Sequence, residues 1–244
     1  MNSLRQRHRE PEIQDQPDLD DHLLRQALVG LEHINFWSRS AQVLWPPIFA
    51  LARQAKSPLR ILDIATGAGD VPLTLWRLAR QHHVGLRLEG CDLNPRTVAY
   101  AQHQARKMHA DVRFFQLDAL SDPIRPDYDV IMCSLFLHHL SESQAVLLLG
   151  RMATAAQHMI LVSDLLRSMT GLALAYFSTR WLIHSPVNRI DSVRSVKAAF
   201  TIEEVRALTQ RAGLSGATIE KRWPCRFLLT CKREPGFSAV QAPG

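Results

Sequence analysis

Along this chain the period of the apolar positions changes several times, and each change predicts an element. Leu23, Leu24, Ala27, Leu28, Leu31 and Ile34 recur at helical spacing and predict an amphipathic helix starting near Leu19. A second helical stretch runs from Phe36 to about Arg53, with Pro46-Pro47 predicting a break inside it. From residue 58 onward, short apolar runs alternate with helical patterns. Strands are expected at 59–64, 86–91, 112–116, 128–133, 158–163, 217–223 and 226–232. Helices are expected at about 70–82, 95–108, 142–155 and 201–212. Thr201 with Glu204 three residues on has the form of a capping box, and Gly213 is a natural helix stop. The alternation predicts an α/β fold with a doubly wound sheet.

Two regions fall outside that rhythm. Residues 1–17 are polar, rich in Arg, Glu, Gln and Pro, and without periodicity, so they read as a disordered tail. Residues 165–199 separate the fifth and sixth strands by far more than the usual connection. The first half of this insertion reads as an amphipathic helix with Phe177 and Trp181. The second half reads as a polar loop carrying His184, Arg189, Asp191, Ser192 and Arg194. The chain thus divides into a tail (1–17), an N-terminal helical cap (18–57), a main domain (58–234) and a C-terminal tail (235–244).

The candidate chemistry begins where the first strand ends. Asp63-Ile64-Ala65-Thr66-Gly67-Ala68-Gly69-Asp70 puts an acid before a tight Gly-x-Gly turn that opens a helix. Gly90-Cys91-Asp92-Leu93-Asn94 closes the second strand on another acid, at the distance where a carboxylate grips ribose hydroxyls. A dinucleotide site would place a small residue three positions after the second glycine, and here that position is Pro72. Asp70 occupies the helix N-terminus where a pyrophosphate would otherwise be held. The site therefore suits a nucleoside without phosphates, such as S-adenosylmethionine, and a nicotinamide oxidoreductase is the weakest reading.

On these motifs the chain resembles the class I S-adenosylmethionine-dependent methyltransferases over roughly residues 58–234. Asp63–Asp70 is similar to the family's glycine-rich first motif, with Ala65 in place of the first glycine. Gln116-Leu117-Asp118-Ala119 resembles the segment after the third strand, whose acid usually bonds the adenine amino group, with Asp122 as an alternative. Asp127 to Ser134 resembles the fourth strand, and Leu137-His138-His139-Leu140 the turn after it. The resemblance implies a Rossmann-like seven-stranded sheet with an antiparallel last strand, N-terminal helices and a helical insertion between strands 5 and 6. It also implies a cofactor site drawn from Asp63, Ala65, Thr66, Gly67, Gly69, Asp70, Asp92, Leu93, Asp118, Ala119, Ser134 and His139. In this family such insertions, with the N-terminal helices, wall a small-molecule pocket at the carboxyl edge of the sheet, where open α/β sheets bind ligands.

Methyl transfer to a phenol or enol oxygen gains from a general base. His138 is the favoured candidate, with His139 and His184 as others, while Asp164 could orient a base or bond the acceptor. Arg180, Arg189 and Arg194 could hold an anionic substrate. Phe36, Trp37, Trp45 and Trp181 either line an apolar pocket or pack ordinarily.

Composition narrows the partners. With 46% hydrophobic and 21% charged residues the chain is an ordinary globular sequence, and no run reaches the roughly 18–20 apolar residues of a membrane span. No apolar signal core opens the chain, so a cytoplasmic location is expected. The net charge of +6 is scattered, and Ser134-Leu135-Phe136-Leu137 stands where base-amino methylating enzymes carry a polar-Pro-Pro signature, so nucleic acid is not expected as a partner. Cys91, Cys133, Cys225 and Cys231 read as reduced core thiols, and no metal site is expected. The expected activity is O-methylation of a small apolar or aromatic metabolite by a monomer or homodimer. The rivals are C-methylation of a quinone precursor and a catalytically silent binding module.

Overall fold

The computed structural model describes residues 4, 6–16, 18–182 and 186–233. Seven strands form one sheet in the order β3-β2-β1-β4-β5-β7-β6. They are β1 (Leu59–Ile64), β2 (Leu86–Asp92), β3 (Val112–Gln116), β4 (Tyr128–Ser134), β5 (Ala156–Leu165), β6 (Thr218–Arg222) and β7 (Arg226–Lys232). The first five pair in parallel, and β7 runs antiparallel to both β5 and β6. The order reverses between β1 and β4, which opens a crevice at their carboxyl ends.

Two apolar layers flank the sheet because alternate strand residues point to opposite faces. Ile61, Val130, Met132, Leu161 and Leu228 pack on one face with the helices α2 (Ser40–Ala52), α3 (Asp70–Gln81) and α4 (Pro95–Lys107). Leu62, Ile64, Ile131, Cys133, Val162 and Phe227 pack on the other with α5 (Glu142–Ala155) and α8 (Ile202–Arg211). Asp63, Ser134, Ser163 and Arg226 share the parity of the first set and lie at its carboxyl-end rim.

Several sequence expectations are corrected. Helix α2 runs unbroken through Pro46 and Pro47. Leu44 and Ile48, both wholly buried on its inner face, hold it in place across the amide donors that the prolines lack. The helix α1 (Asp21–Trp37) precedes it, capped by the Asp20 carboxylate. Residues 6–16, read as a disordered tail, are docked. Arg7 donates to the carbonyls of Ala198 and His138 and lies over the Phe200 ring, while Glu12 is buried. Nor is the second half of the insertion a loop. The insertion is a pair of helices, α6 (Met169–Leu182) and α7 (Pro186–Ala198). The buried positions of α7 mix Asn188, Asp191 and Ser195 with Val187, Val196 and Ala198, so no clean hydrophobic periodicity marks it. Cys225 stands in the β6–β7 turn and, like Cys231, is only half-buried, unlike the core thiols Cys91 and Cys133.

Candidate active site

The crevice is built from backbone geometry first. Gly67 and Gly69 adopt φ of 56° and 76°, the left-handed region that the tight turn after β1 demands. A Cβ on Gly69 would meet the Phe114 ring at 2.7 Å, so this turn lies pressed onto the sheet. Ala65, in place of the family glycine, holds φ at 52°, a strained value for a residue with a side chain. Pro72 sits in the first turn of α3, where its missing donor costs nothing.

Four carboxylates mark the floor. Asp63 is 2% exposed, and its Oδ2 accepts from Thr66 Oγ1 at 2.7 Å while its Oδ1 meets no donor. Burial pushes its carboxyl up to about 7. Asp70, accepting from Asn35 Nδ2 at 3.2 Å, is pushed by burial to about 8. Asp92 accepts from the amides of Gly67 and Asn94, each at 3.0 Å, which fixes its carboxylate at the end of β2. Leu93, next in sequence, is 63% exposed and apolar. Asp118 accepts from Leu120 N and Ser121 Oγ, and its own amide donates to Asp122 Oδ2. Both acids thus shape the loop after β3, and each Asp118 oxygen keeps a lone pair. Ala119 is buried beside them.

Four buried polar atoms without a hydrogen-bond partner stand along one face at this rim, on the adjacent strands β1, β4, β5 and β7: Asp63 Oδ1, Ser134 Oγ, Ser163 Oγ and Arg226 Nε. Folded chains rarely leave such atoms unpaired, so the row calls for a polar ligand. S-adenosylmethionine fits the crevice. Its amino group would supply the donor that Asp63 Oδ1 lacks, and its ribose and adenine would lie toward Asp92 and Leu93.

Beside the crevice lies a cavity of about 320 Å³. Its walls include Ile34 and Trp37 of α1, Leu135, Leu165, Leu174 of α6, Val196 of α7, and the turn Trp223-Pro224-Cys225. Of the aromatics considered from sequence, Trp37 is among its described lining residues. Trp45 stacks on Phe49 at 5.2 Å, Phe36 is 71% exposed, and the Trp181 side chain lies outside those described. A wider groove of about 960 Å³ along α4 and β3 contains none of the acidic strand ends.

His138, His139 and Glu12 meet at the cavity wall. A short 3-10 turn, Leu137–His139, buries His138 to 3% exposure. Its Nδ1 lies 2.7 Å from Asp164 Oδ1, its amide donates to Asp164 Oδ2, and its Nε2 lies 3.5 Å from Glu12 Oε1. Asp164 and Glu12 together outweigh desolvation and raise the imidazole to about 10, while Glu12 is drawn down to about 2. This setting favours the imidazolium form. His138, the favoured candidate for a general base, thus has a carboxylate at each ring nitrogen. Asp164 orients it and does not cap the next helix. His139 pairs with Asp15 at 2.9 Å and faces Glu12 at 3.7 Å. Ligand atoms of Glu12, His138 and His139 lie within 4.8 Å of one another, a spacing that a divalent cation could bridge, although each ring already has carboxylate partners. His184 lies outside the described residues, as does the Arg180 side chain, and Arg194 is paired with Glu10 and Asp191.

Sequence reasoning missed Glu12 and Arg226. Glu12 meets His138 and Ser195 across more than a hundred residues of chain, and Arg226 looked like one more strand-end charge. Arg226 is 1% exposed, with Nη1 and Nη2 donating to Ser40 Oγ and Ser38 Oγ, each at 2.7 Å. Ser40 passes the chain on to Asn35, whose amide reaches Asp70.

Comparison with known proteins agrees with this geometry. Residues 61–158 match the family described as methyltransferase domain. A demethylmenaquinone methyltransferase of Thermus thermophilus is 33% identical over 94 residues, which cover 38% of this chain and 40% of that one, so the match spans less than half of the relative. A S-adenosylmethionine-dependent methyltransferase of Aquifex aeolicus superposes with a TM-score of 0.60 at 16% identity, covering 88% of this chain and 99% of that one. The magnesium protoporphyrin IX methyltransferase of Synechocystis with bound S-adenosylhomocysteine gives 0.56 at 14% identity, covering 91% of both chains. These two likenesses show the fold.

Proposed function

We propose that this chain, whose residues 61–158 match a methyltransferase domain, is a class I S-adenosylmethionine-dependent methyltransferase that methylates a hydroxyl oxygen of a small apolar or aromatic metabolite. The observation that carries this reading is the 320 Å³ cavity, with an apolar wall of Ile34, Leu135, Leu165 and Val196 and polar side chains, His138, Glu12, Asp191 and Arg226 among them, facing it. When bound, S-adenosylmethionine supplies an electrophilic methyl group. The chain contributes alignment and exclusion of water. In this reading Asp63 holds the cofactor's amino group, Asp92 its ribose, and Asp118 its adenine amino group. Ala65, Thr66, Gly67 and Gly69 shape the turn, while Leu93, Ala119 and Ser134 border it. The helix pair α6–α7 closes the acceptor side.

A second reading, methylation of a quinol carbon, is favoured by the relative named for demethylmenaquinone. It uses the same cavity and differs only in the acceptor atom. Incubation with deuteromethyl-labelled S-adenosylmethionine and a panel of phenols, alkylpyrones and quinols, read by mass spectrometry and NMR, separates the two. We expect a labelled methoxy product from an acidic phenol or enol. A labelled ring methyl replaces the first reading with the second, and turnover of none of them leaves a binding module.

A further inference from the structure

We infer that Arg226 is the anion anchor of the acceptor cavity, and that the acceptor's reacting hydroxyl is held there as its oxyanion, a phenolate or enolate. This rests on the methyltransferase reading above and names the acceptor's charge state. The starting point is an imbalance. Arg226 is a fully buried guanidinium on the cavity wall, and among the described residues no carboxylate lies within ion-pair distance of it. Its two bonds go to neutral hydroxyls, Ser38 and Ser40, whose own protons are given to the Ile34 carbonyl and to Asn35 Oδ1. Two of five N–H donors are thereby used, and Nε meets nothing.

The nearest acids do not make up the difference. Asp164 is committed to the His138 imidazolium, and Asp70 bonds Asn35 and is held largely protonated by burial. Burial without a counter-charge is the costliest setting for a cation, and an incoming oxyanion would supply that charge. The two serines aim the planar fork and leave one edge of it free. Ile34, Leu135 and Leu165, also on the cavity wall, lower the local dielectric, so the guanidinium would shift a bound hydroxyl toward its ionised form. That would supply the nucleophile without a neutral histidine, in keeping with a setting that favours the imidazolium form of His138.

The test uses the full chain saturated with S-adenosylhomocysteine, whose binding is first measured by calorimetry, and 4-nitrophenol as probe. At a pH below the probe's own pKa, binding to the wild type should bring up the phenolate absorption band. We expect at least about a tenfold preference for the anion, one unit of pKa. Arg226→Met should abolish that preference while leaving S-adenosylhomocysteine affinity near wild type. If Arg226→Met fails to fold, Arg226→Lys decides. The ammonium keeps the charge but loses the fork, so the preference should fall about threefold or more. An unshifted or unbound probe, or a preference that survives in the variant, overturns the inference. A variant that loses S-adenosylhomocysteine affinity but keeps the probe preference also overturns it, in favour of the cofactor's own carboxylate. Should the wild type fail to bind S-adenosylhomocysteine, the methyltransferase reading falls as well.

Discussion

At the scale of single residues, Asp63 shows how burial writes a pH dependence into the crevice. Its carboxyl is raised to about 7 because the folded chain buries it and gives it only Thr66 as donor. A raised acid favours the folded state while protonated, and that contribution is lost as pH climbs from its ordinary range near 3.8 to about 7. A cofactor ammonium needs the opposite form, the carboxylate. S-adenosylhomocysteine affinity should therefore rise with pH up to about 7 and then level off. Calorimetry near pH 6, in two buffers of different ionisation enthalpy, should count close to one released proton. Asp63→Asn should flatten the profile, and no proton release in the wild type would refute the assignment. Asp63, Gly67, Gly69 and Asp92 were legible in the sequence because one tight turn and one strand spacing fix them together. Glu12 and Arg226 were not legible, since their partners are set by tertiary packing alone.

At the scale of elements, helix boundaries were readable wherever the chain satisfies its own end groups. Helix α8 begins with the expected reciprocal bonds, Glu204 N to Thr201 Oγ1 at 3.2 Å and Thr201 N to Glu204 Oε2 at 2.9 Å. Glu204 also receives a forked pair from the buried Arg167, at 2.9 and 2.6 Å. Thr201→Ala removes one cap acceptor and should cost about 1 kcal/mol in urea unfolding, while Thr201→Ser should cost far less. An unaltered Thr201→Ala would mean that Arg167 alone sets this helix start. By contrast α7 hid itself, because polar Asn188, Asp191 and Ser195 share its buried side with Val187, Val196 and Ala198, and Asp191 and Ser195 meet Glu12 and the amides of Ile13 and Gln14. Apolar periodicity reports burial against hydrocarbon. Where an element buries against polar groups, only the three-dimensional arrangement reveals it.

At the scale of the whole molecule, the doubly wound sheet followed from the alternation of strands and helices, and its antiparallel last strand from the family resemblance, while the docked leader followed from neither. That leader carries Glu12 into contact with His138, and the pair gives the protein an alkaline weakness. The imidazole is raised to about 10, so its contribution to stability is full below its ordinary value near 6.5 and is lost as pH rises toward 10. Glu12→Gln should lower stability at pH 7 and flatten the decline between pH 7 and 9, measured by urea unfolding at each pH. A decline as steep in the variant would assign the alkaline weakness to other groups. On the acid side Glu12, held at about 2, contributes above about 4.5 and loses that contribution as pH falls toward 2.

The same docking sets an order of events in synthesis. Arg7 waits for Ala198, Ile13 for Asp191, and Glu12 for Ser195, a separation of 183 residues. A chain made amino end first therefore keeps this strap without a seat until nearly all of the domain has left the ribosome. The glycine turn and β1–β2, by contrast, involve neighbours in sequence and can form early. The crevice beside the glycine turn is thus among the first features the nascent chain can assemble, and the cavity that Glu12 helps to wall is among the last to close.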